Sequence, residues 1–223
     1  MKKFSLMAAA TALALVLAPA VSAWAEGGLY VTPKLGYSHV KGKLDLSGDE
    51  GDSESVSKSK NLVPFGLAVG YDLNPVRAEL EYAFRGKKEF YSESGEDPDG
   101  PWSDKAKLGV QTLFLNAYYD IHNSSPITPY VGLGLGLAKQ SYELAFDWEE
   151  DGESYSDKFS GSKNKFAWNI GAGAAYQLND LMALDLGYRY ANFGKISEEL
   201  VEGFDMDVKS STHEVLLGLR FTF

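Results

Sequence analysis

The chain of 223 residues contains no cysteine, so it folds without disulfides or thiolate metal sites. Beyond the first 25 residues no stretch approaches 18 consecutive apolar residues, which leaves no segment for a membrane-spanning helix. Basic residues are in the minority, 21 Lys and Arg against 31 Asp and Glu, for a formal charge of −10. So acidic a chain repels a phosphate backbone, and nucleic acid is excluded as a partner. Histidine is scarce at three residues, and no acidic segment has the D-x-[DN]-x-[DN]-G spacing of a calcium loop. No metal or other cofactor is expected.

What is present begins with an export signal. Lys2 and Lys3 precede an apolar run from Leu6 to Ala20, and Ala23-Trp24-Ala25 supplies a small-x-small cleavage motif. Residues 1–25 read as a cleaved secretory signal peptide, with cleavage after Ala23 as the alternative to Ala25. The apolar run is shorter than the roughly 20 residues of a spanning anchor. Losing Lys2 and Lys3 takes the charge from −10 to −12 and leaves residues 26–223 as one domain.

That domain alternates bulky apolar with small or polar residues in eight segments, the two-residue period of a strand. In the first, Leu29, Val31, Pro33, Leu35 and Tyr37 oppose Tyr30, Thr32, Lys34, Gly36 and Ser38. In the third, Val76, Ala78, Leu80, Tyr82 and Phe84 oppose Arg77, Glu79, Glu81, Ala83 and Arg85. In the fifth, Val131, Leu133, Leu135 and Leu137 oppose Gly132, Gly134, Gly136 and Ala138. The last sets Val215, Leu217, Leu219, Phe221 and Phe223 against Leu216, Gly218, Arg220 and Thr222. Pro33 lacks the N–H a ladder needs; a bulge would accommodate it, but the sequence shows none.

The connections also alternate. Asn74-Pro75 and Asn179-Asp180 are tight turns and His122 to Thr128 is a modest link, whereas the windows 41–61, 86–107, 139–163 and 192–212 are long and polar. Those four windows hold 23 of the 31 Asp and Glu residues, and they read as loops. An even strand count, with short turns on one rim and long loops on the other, predicts an all-β fold. It is an eight-stranded antiparallel up-and-down transmembrane β-barrel, short turns periplasmic and acidic loops extracellular.

The apolar face could instead line a soluble lipocalin-like carrier, but glycine-rich strands make a poor water-facing surface. Turned inward, small residues fit the narrow interior of eight strands. Tyr37, Tyr71, Tyr119, Trp168, Tyr176, Tyr188 and Tyr190 then fall near the membrane interfaces as girdles. Lys34, Glu79, Asp185 and Arg220 share inward parity at similar heights, and burial demands that such charges pair.

Leu29-Tyr30-Val31-Thr32-Pro33-Lys34-Leu35-Gly36-Tyr37, Gly70-Tyr71 with Asn74-Pro75, and Gly218-Leu219-Arg220-Phe221 resemble the first strand, first turn and closing strand of the outer membrane protein A and opacity-type porin family. The resemblance implies an outer-membrane location and a lumenal network carried by Lys34, Glu79 and Arg220. The family's strand-7 carboxylate falls on Gly187, so Asp185 substitutes one layer away. It also implies that Phe221 and Phe223 form the signal read by the barrel assembly machinery. The chain leaves no room after the barrel for the peptidoglycan-binding domain of larger relatives, so tethering to the cell wall is not expected.

His39 and His213 share outward parity near the outer ends of neighbouring strands and read as interfacial polar residues. His122-Asn123-Ser124 has the bare composition of a lipid-modifying site but sits in a turn on the periplasmic side. No nucleophile, base and acid assemble, so a non-enzymatic barrel is expected. Its partners are outer-membrane lipid, lipopolysaccharide and, through loops such as Trp148-Glu149-Glu150-Asp151-Gly152-Glu153 and Glu96-Asp97-Pro98-Asp99-Gly100, an extracellular ligand or host surface. A narrow channel through the lumen is the alternative function, and a lipid A-modifying enzyme the third.

Overall fold

A computed structural model describes residues 28–48, 53–97, 100–150, 153–201 and 204–223. Residues 1–25, read above as an export signal, and both expected cleavage positions lie outside the described residues. Nine strands follow in chain order: β1 (Leu29–Gly48), β2 (Ser53–Leu62), β3 (Pro64–Asp72), β4 (Val76–Asp97), β5 (Gly100–Asp120), β6 (Ile127–Glu150), β7 (Glu153–Asn179), β8 (Met182–Val201) and β9 (Phe204–Thr222). Each pairs antiparallel with its neighbours, and β1 pairs with β9. The ring β1-β3-β4-β5-β6-β7-β8-β9 therefore closes on itself, an eight-stranded barrel with no free edge. β2 and β3 both pair with β1 and are two pieces of one stave, interrupted at Val63.

The barrel is inside-out. Leu133, Leu135 and Leu137 are 57%, 55% and 54% exposed, while Ala138 between them and the outer end is fully buried. Water would reject such a surface, and hydrocarbon accepts it. Gly134 shows what the interior demands. A Cβ there would collide with the Asn116 and Asn169 side chains, which flank the glycine in register and meet over it in a 3.0 Å hydrogen bond. At Pro33 the ladder to β9 lapses over Thr32 and Pro33 and resumes at Lys34 in the same register. An interrupted ladder accommodates the missing N–H without an inserted residue.

Among the described residues, the long windows read as loops are strand. β6 and β7 run 24 and 27 residues, against the 9–11 or so needed to cross a bilayer. Register shifts fall between Arg85 and Lys88 in β4 and between Asn192 and Lys195 in β8, the latter beside Gly194 at φ 82°. Bulges at a barrel rim bend the sheet, and here the staves part. Beyond Trp168 the pairing of β7 with β8 ends, and β2 pairs with β1 alone among the described residues. Two four-stranded sheets thus extend past the barrel, β4-β5-β6-β7 and β8-β9-β1-β2. Alternation was present in these windows, as in Tyr142, Leu144, Phe146 and Trp148, but serine, glycine and acid content masked it.

Candidate functional site: the lumen and the outer rim

Inward parity carries charges from four strands into one chain of contacts. Lys34 on β1 donates to Glu79 Oε1 at 2.5 Å and to Glu81 Oε2 at 2.7 Å. Arg189 on β8 reaches Glu81 through Nη1 at 2.6 Å and Glu214 through Nε at 2.7 Å. Arg85 closes on Glu214 from β4. Tyr118 donates to Glu79 Oε1 at 3.2 Å. Nearer the short turns, Arg77 makes a two-pronged contact with Asp120 at 2.7 and 2.9 Å and lies over the rings of Tyr118 and Tyr130.

The four charges singled out by sequence divide into two groups. Lys34 and Glu79 are joined directly. Asp185 accepts from Tyr130 and stands 3.8 Å from Arg220, whose guanidinium lies over the Tyr30 ring. Tyr30 in turn reaches Glu79 at 3.4 Å, so the groups touch through an aromatic ring rather than an ion pair. Sequence reasoning did not place Glu81, Glu214, Arg85, Arg77, Asp120 and Arg189 in the network. Their inward parity was the available signal, but which heights coincide depends on the stagger of the closed barrel.

Five lumenal cations (Lys34, Arg77, Arg85, Arg189, Arg220) meet five carboxylates (Glu79, Glu81, Asp120, Asp185, Glu214), so these lumenal charges cancel. Toward the outer end an apolar layer of Val110, Phe114, Ala138, Ala167, Ala191 and Phe193 covers them. Arg85 packs on Phe193 and Arg189 on Phe114, at 5.0 and 5.6 Å from the ring centroids. The lumenal cavity beside Lys34, Asp185 and Arg189 measures about 30 Å³, room for roughly two waters.

Phe221 pairs with Val31 and Met182, and the Phe223 amide donates to Leu29 O at 2.9 Å with its ring 55% exposed. At the short-turn end, Asn123 accepts from the Ser125 amide and donates to Ile127 O, which commits it to closing the turn that holds His122 and Ser124. His39 and His213 stand directly opposite one another, His39 bonded to Asn61 and His213 to the Tyr188 hydroxyl.

A closed eight-stranded ring with an apolar exterior and a charged interior has a counterpart in sequence: residues 8–221 match the outer membrane protein beta-barrel domain family. The chain belongs to that family. Outer membrane protein PagN of Salmonella typhimurium is 33% identical, covering 94% of this chain and 95% of its own. A Rickettsia bellii protein whose name marks it as a candidate adhesin is 26% identical, covering 99% of both. The crystal structure of the outer membrane protein OprG from Pseudomonas aeruginosa superposes with a TM-score of 0.52 at 17% identity, covering 88% of this chain and 96% of that one, and shares the fold. The protein is a small outer-membrane barrel of the outer membrane protein A and opacity type.

In such a barrel the rows beyond the apolar band meet lipid headgroups. His39, His213 and Tyr190 form one outward row; two residues outward come Lys41, Ser211 and Asn192, then Lys43, Lys209 and Lys195. A band of lysine thus lies just beyond the His39, His213 and Tyr190 row.

Proposed function

We propose that the protein is a non-enzymatic surface-interaction barrel, a sealed membrane anchor presenting two rigid β-sheets to the extracellular space for adhesion or recognition. The observation that carries this reading is the length of the ladders beyond the membrane. β7 continues for about 16 residues past a bilayer crossing, roughly 50 Å along the strand. Closing a hairpin needs only a few residues, so the excess has another use, and long segments on a rigid scaffold are where recognition concentrates. The adhesin name of the Rickettsia bellii relative points the same way.

A filled, charge-balanced lumen under an apolar layer suits an anchor better than a conduit. The lysine band suits lipopolysaccharide, whose phosphates lie at that depth, and it would fix the height of the barrel in the outer leaflet. Removal of residues 90–104 at the β4–β5 tip, and separately of the β6–β7 tip, tests the reading in whole cells. Loss of binding to host cells or matrix, with the shortened barrels still in the outer membrane, is expected. Unchanged binding by both would overturn it.

A further inference from the structure

The β4-β5-β6-β7 sheet carries an aromatic row on its lumen-parity face near its far end. Gly95, Trp102, Trp148 and Tyr155 are successive cross-strand partners, one from each strand. Trp148 and Tyr155 stack with centroids 5.6 Å apart and planes 17° from parallel. A Cβ on Gly95 would lie 2.8–2.9 Å from Cζ2, Cε2 and Nε1 of Trp102. Near-equal distances to three ring atoms mean that the indole lies flat across the glycine, one face down on the backbone. The row borders an open cleft of about 770 Å³, lined also by Glu96 and Asp147, with no lysine or arginine among the described lining residues.

By register Phe146 and Asp157 form the neighbouring pair on the barrel side. Aromatic faces beside the carboxylates of Glu96, Asp147 and Asp157 attract cations and repel sulfated or phosphorylated ligands. Arginine suits the row better than lysine, because a planar guanidinium stacks on indole and phenol faces. Four strands about 4.8 Å apart make the row roughly 14 Å wide, the span of about four extended residues.

We infer that this cleft is a docking site for an extended arginine-rich polypeptide segment, whose alternate side chains stack on Trp102, Trp148 and Tyr155. The inference rests on the surface-interaction reading and names its partner by charge and shape. No covalent step is involved.

The test uses the full chain in lipid nanodiscs and a fluorescein-labelled Arg-Ser-Arg-Ser-Arg peptide, read by polarisation and by tryptophan emission. Saturable binding with quenched tryptophan is expected, weakened about tenfold by Trp148→Ala. Trp148→Phe should bind nearly as wild type, and heat-dependent gel mobility should show that both variants remain folded. Equal binding by wild type and Trp148→Ala would reduce the contact to diffuse charge attraction and overturn the site. Displacement of the peptide by heparin oligosaccharide or phosphocholine with matching tryptophan quenching would assign the cleft to another ligand and overturn it as well. The two readings fail separately. A peptide that does not bind, alongside tip deletions that abolish cell binding, sinks the cleft alone. Peptide binding in nanodiscs, with cell binding indifferent to the tips, sinks the broader reading.

Discussion

Arg85 and Glu214 grip each other through two hydrogen bonds, Nε to Oε1 at 2.6 Å and Nη2 to Oε2 at 2.9 Å, and both side chains are shut off from solvent. The same carboxylate takes a third bond from Arg189. Glu214→Ala therefore leaves Arg85 without a carboxylate partner and takes one of the two that Arg189 holds, and it should cost about 3–5 kcal/mol, the penalty of unpaired buried charge. Arg85→Met should cost less, because Glu214 keeps Arg189. Urea unfolding of the vesicle-inserted protein measures both, and equal losses would show that the network does not share its charges in this way.

The lumen predicts electrical silence. Five lumenal cations balance five carboxylates under the Phe114 and Phe193 layer, and the cavity beside them holds about 30 Å³. Planar-bilayer recordings of the wild type should show no steps, and neither should Glu79→Ala, whose neighbours Lys34 and Tyr118 still fill the space. Discrete steps in the wild type would restore the channel reading.

Neighbouring residues should fail for opposite reasons. Leu133 is mid-way along the outward run from Ile127 to Leu137 on β6, so Leu133→Arg places a charge near the bilayer midplane and should cost about 2–4 kcal/mol. Gly134→Leu adds an apolar group, which lipid would welcome, yet it faces Asn116 and Asn169 and would break their bond. Folding yields into vesicles should fall for both. Tolerance of Gly134→Leu would mean that its side of the strand is not the packed one.

How far the sequence carried this structure can be seen at β6. Leucine alternating with glycine gave both the strand and its two faces, because an eight-stranded lumen admits only small groups at most levels. The outer ladders were obscured by composition, since serine, glycine and acid are as common in loops as in solvated strands. Charged partners were harder again. Parity put Glu81 and Arg189 inside, but their meeting depends on the stagger of β4 against β8, strands with 108 residues between the contacting side chains.

The lysine band makes a prediction about lipid. Lys41, Lys43, Lys195 and Lys209 face outward on three adjacent staves just beyond the His39–His213 row. Replacing Lys41, Lys43 and Lys209 together with Gln should lower the melting temperature more in vesicles containing lipopolysaccharide than in phosphatidylcholine. Phosphate attraction is present only in the first, at about 1 kcal/mol per cation near a charged surface. Equal shifts in the two lipids would remove lipopolysaccharide from the role of these residues.

Above that band Glu143 accepts hydrogen bonds from Lys87 at 3.1 Å and Lys107 at 3.4 Å, which hold its carboxyl below the ordinary carboxylate range. A depressed folded value means that the contact stabilises the outer ladder above the unfolded-state pKa, and that this contribution fades as pH falls through the folded one. The side chains are solvent-exposed, so the effect on global stability is slight and belongs to local order. Carbon-detected NMR of the Glu143 carboxyl should show a midpoint below that of other exposed glutamates, moving up in Lys87→Ala and further in the Lys87→Ala/Lys107→Ala pair. High salt should narrow the gap as it screens the lysines. A midpoint unmoved by either substitution would mean that β4, β5 and β6 do not hold these three side chains together beyond the membrane.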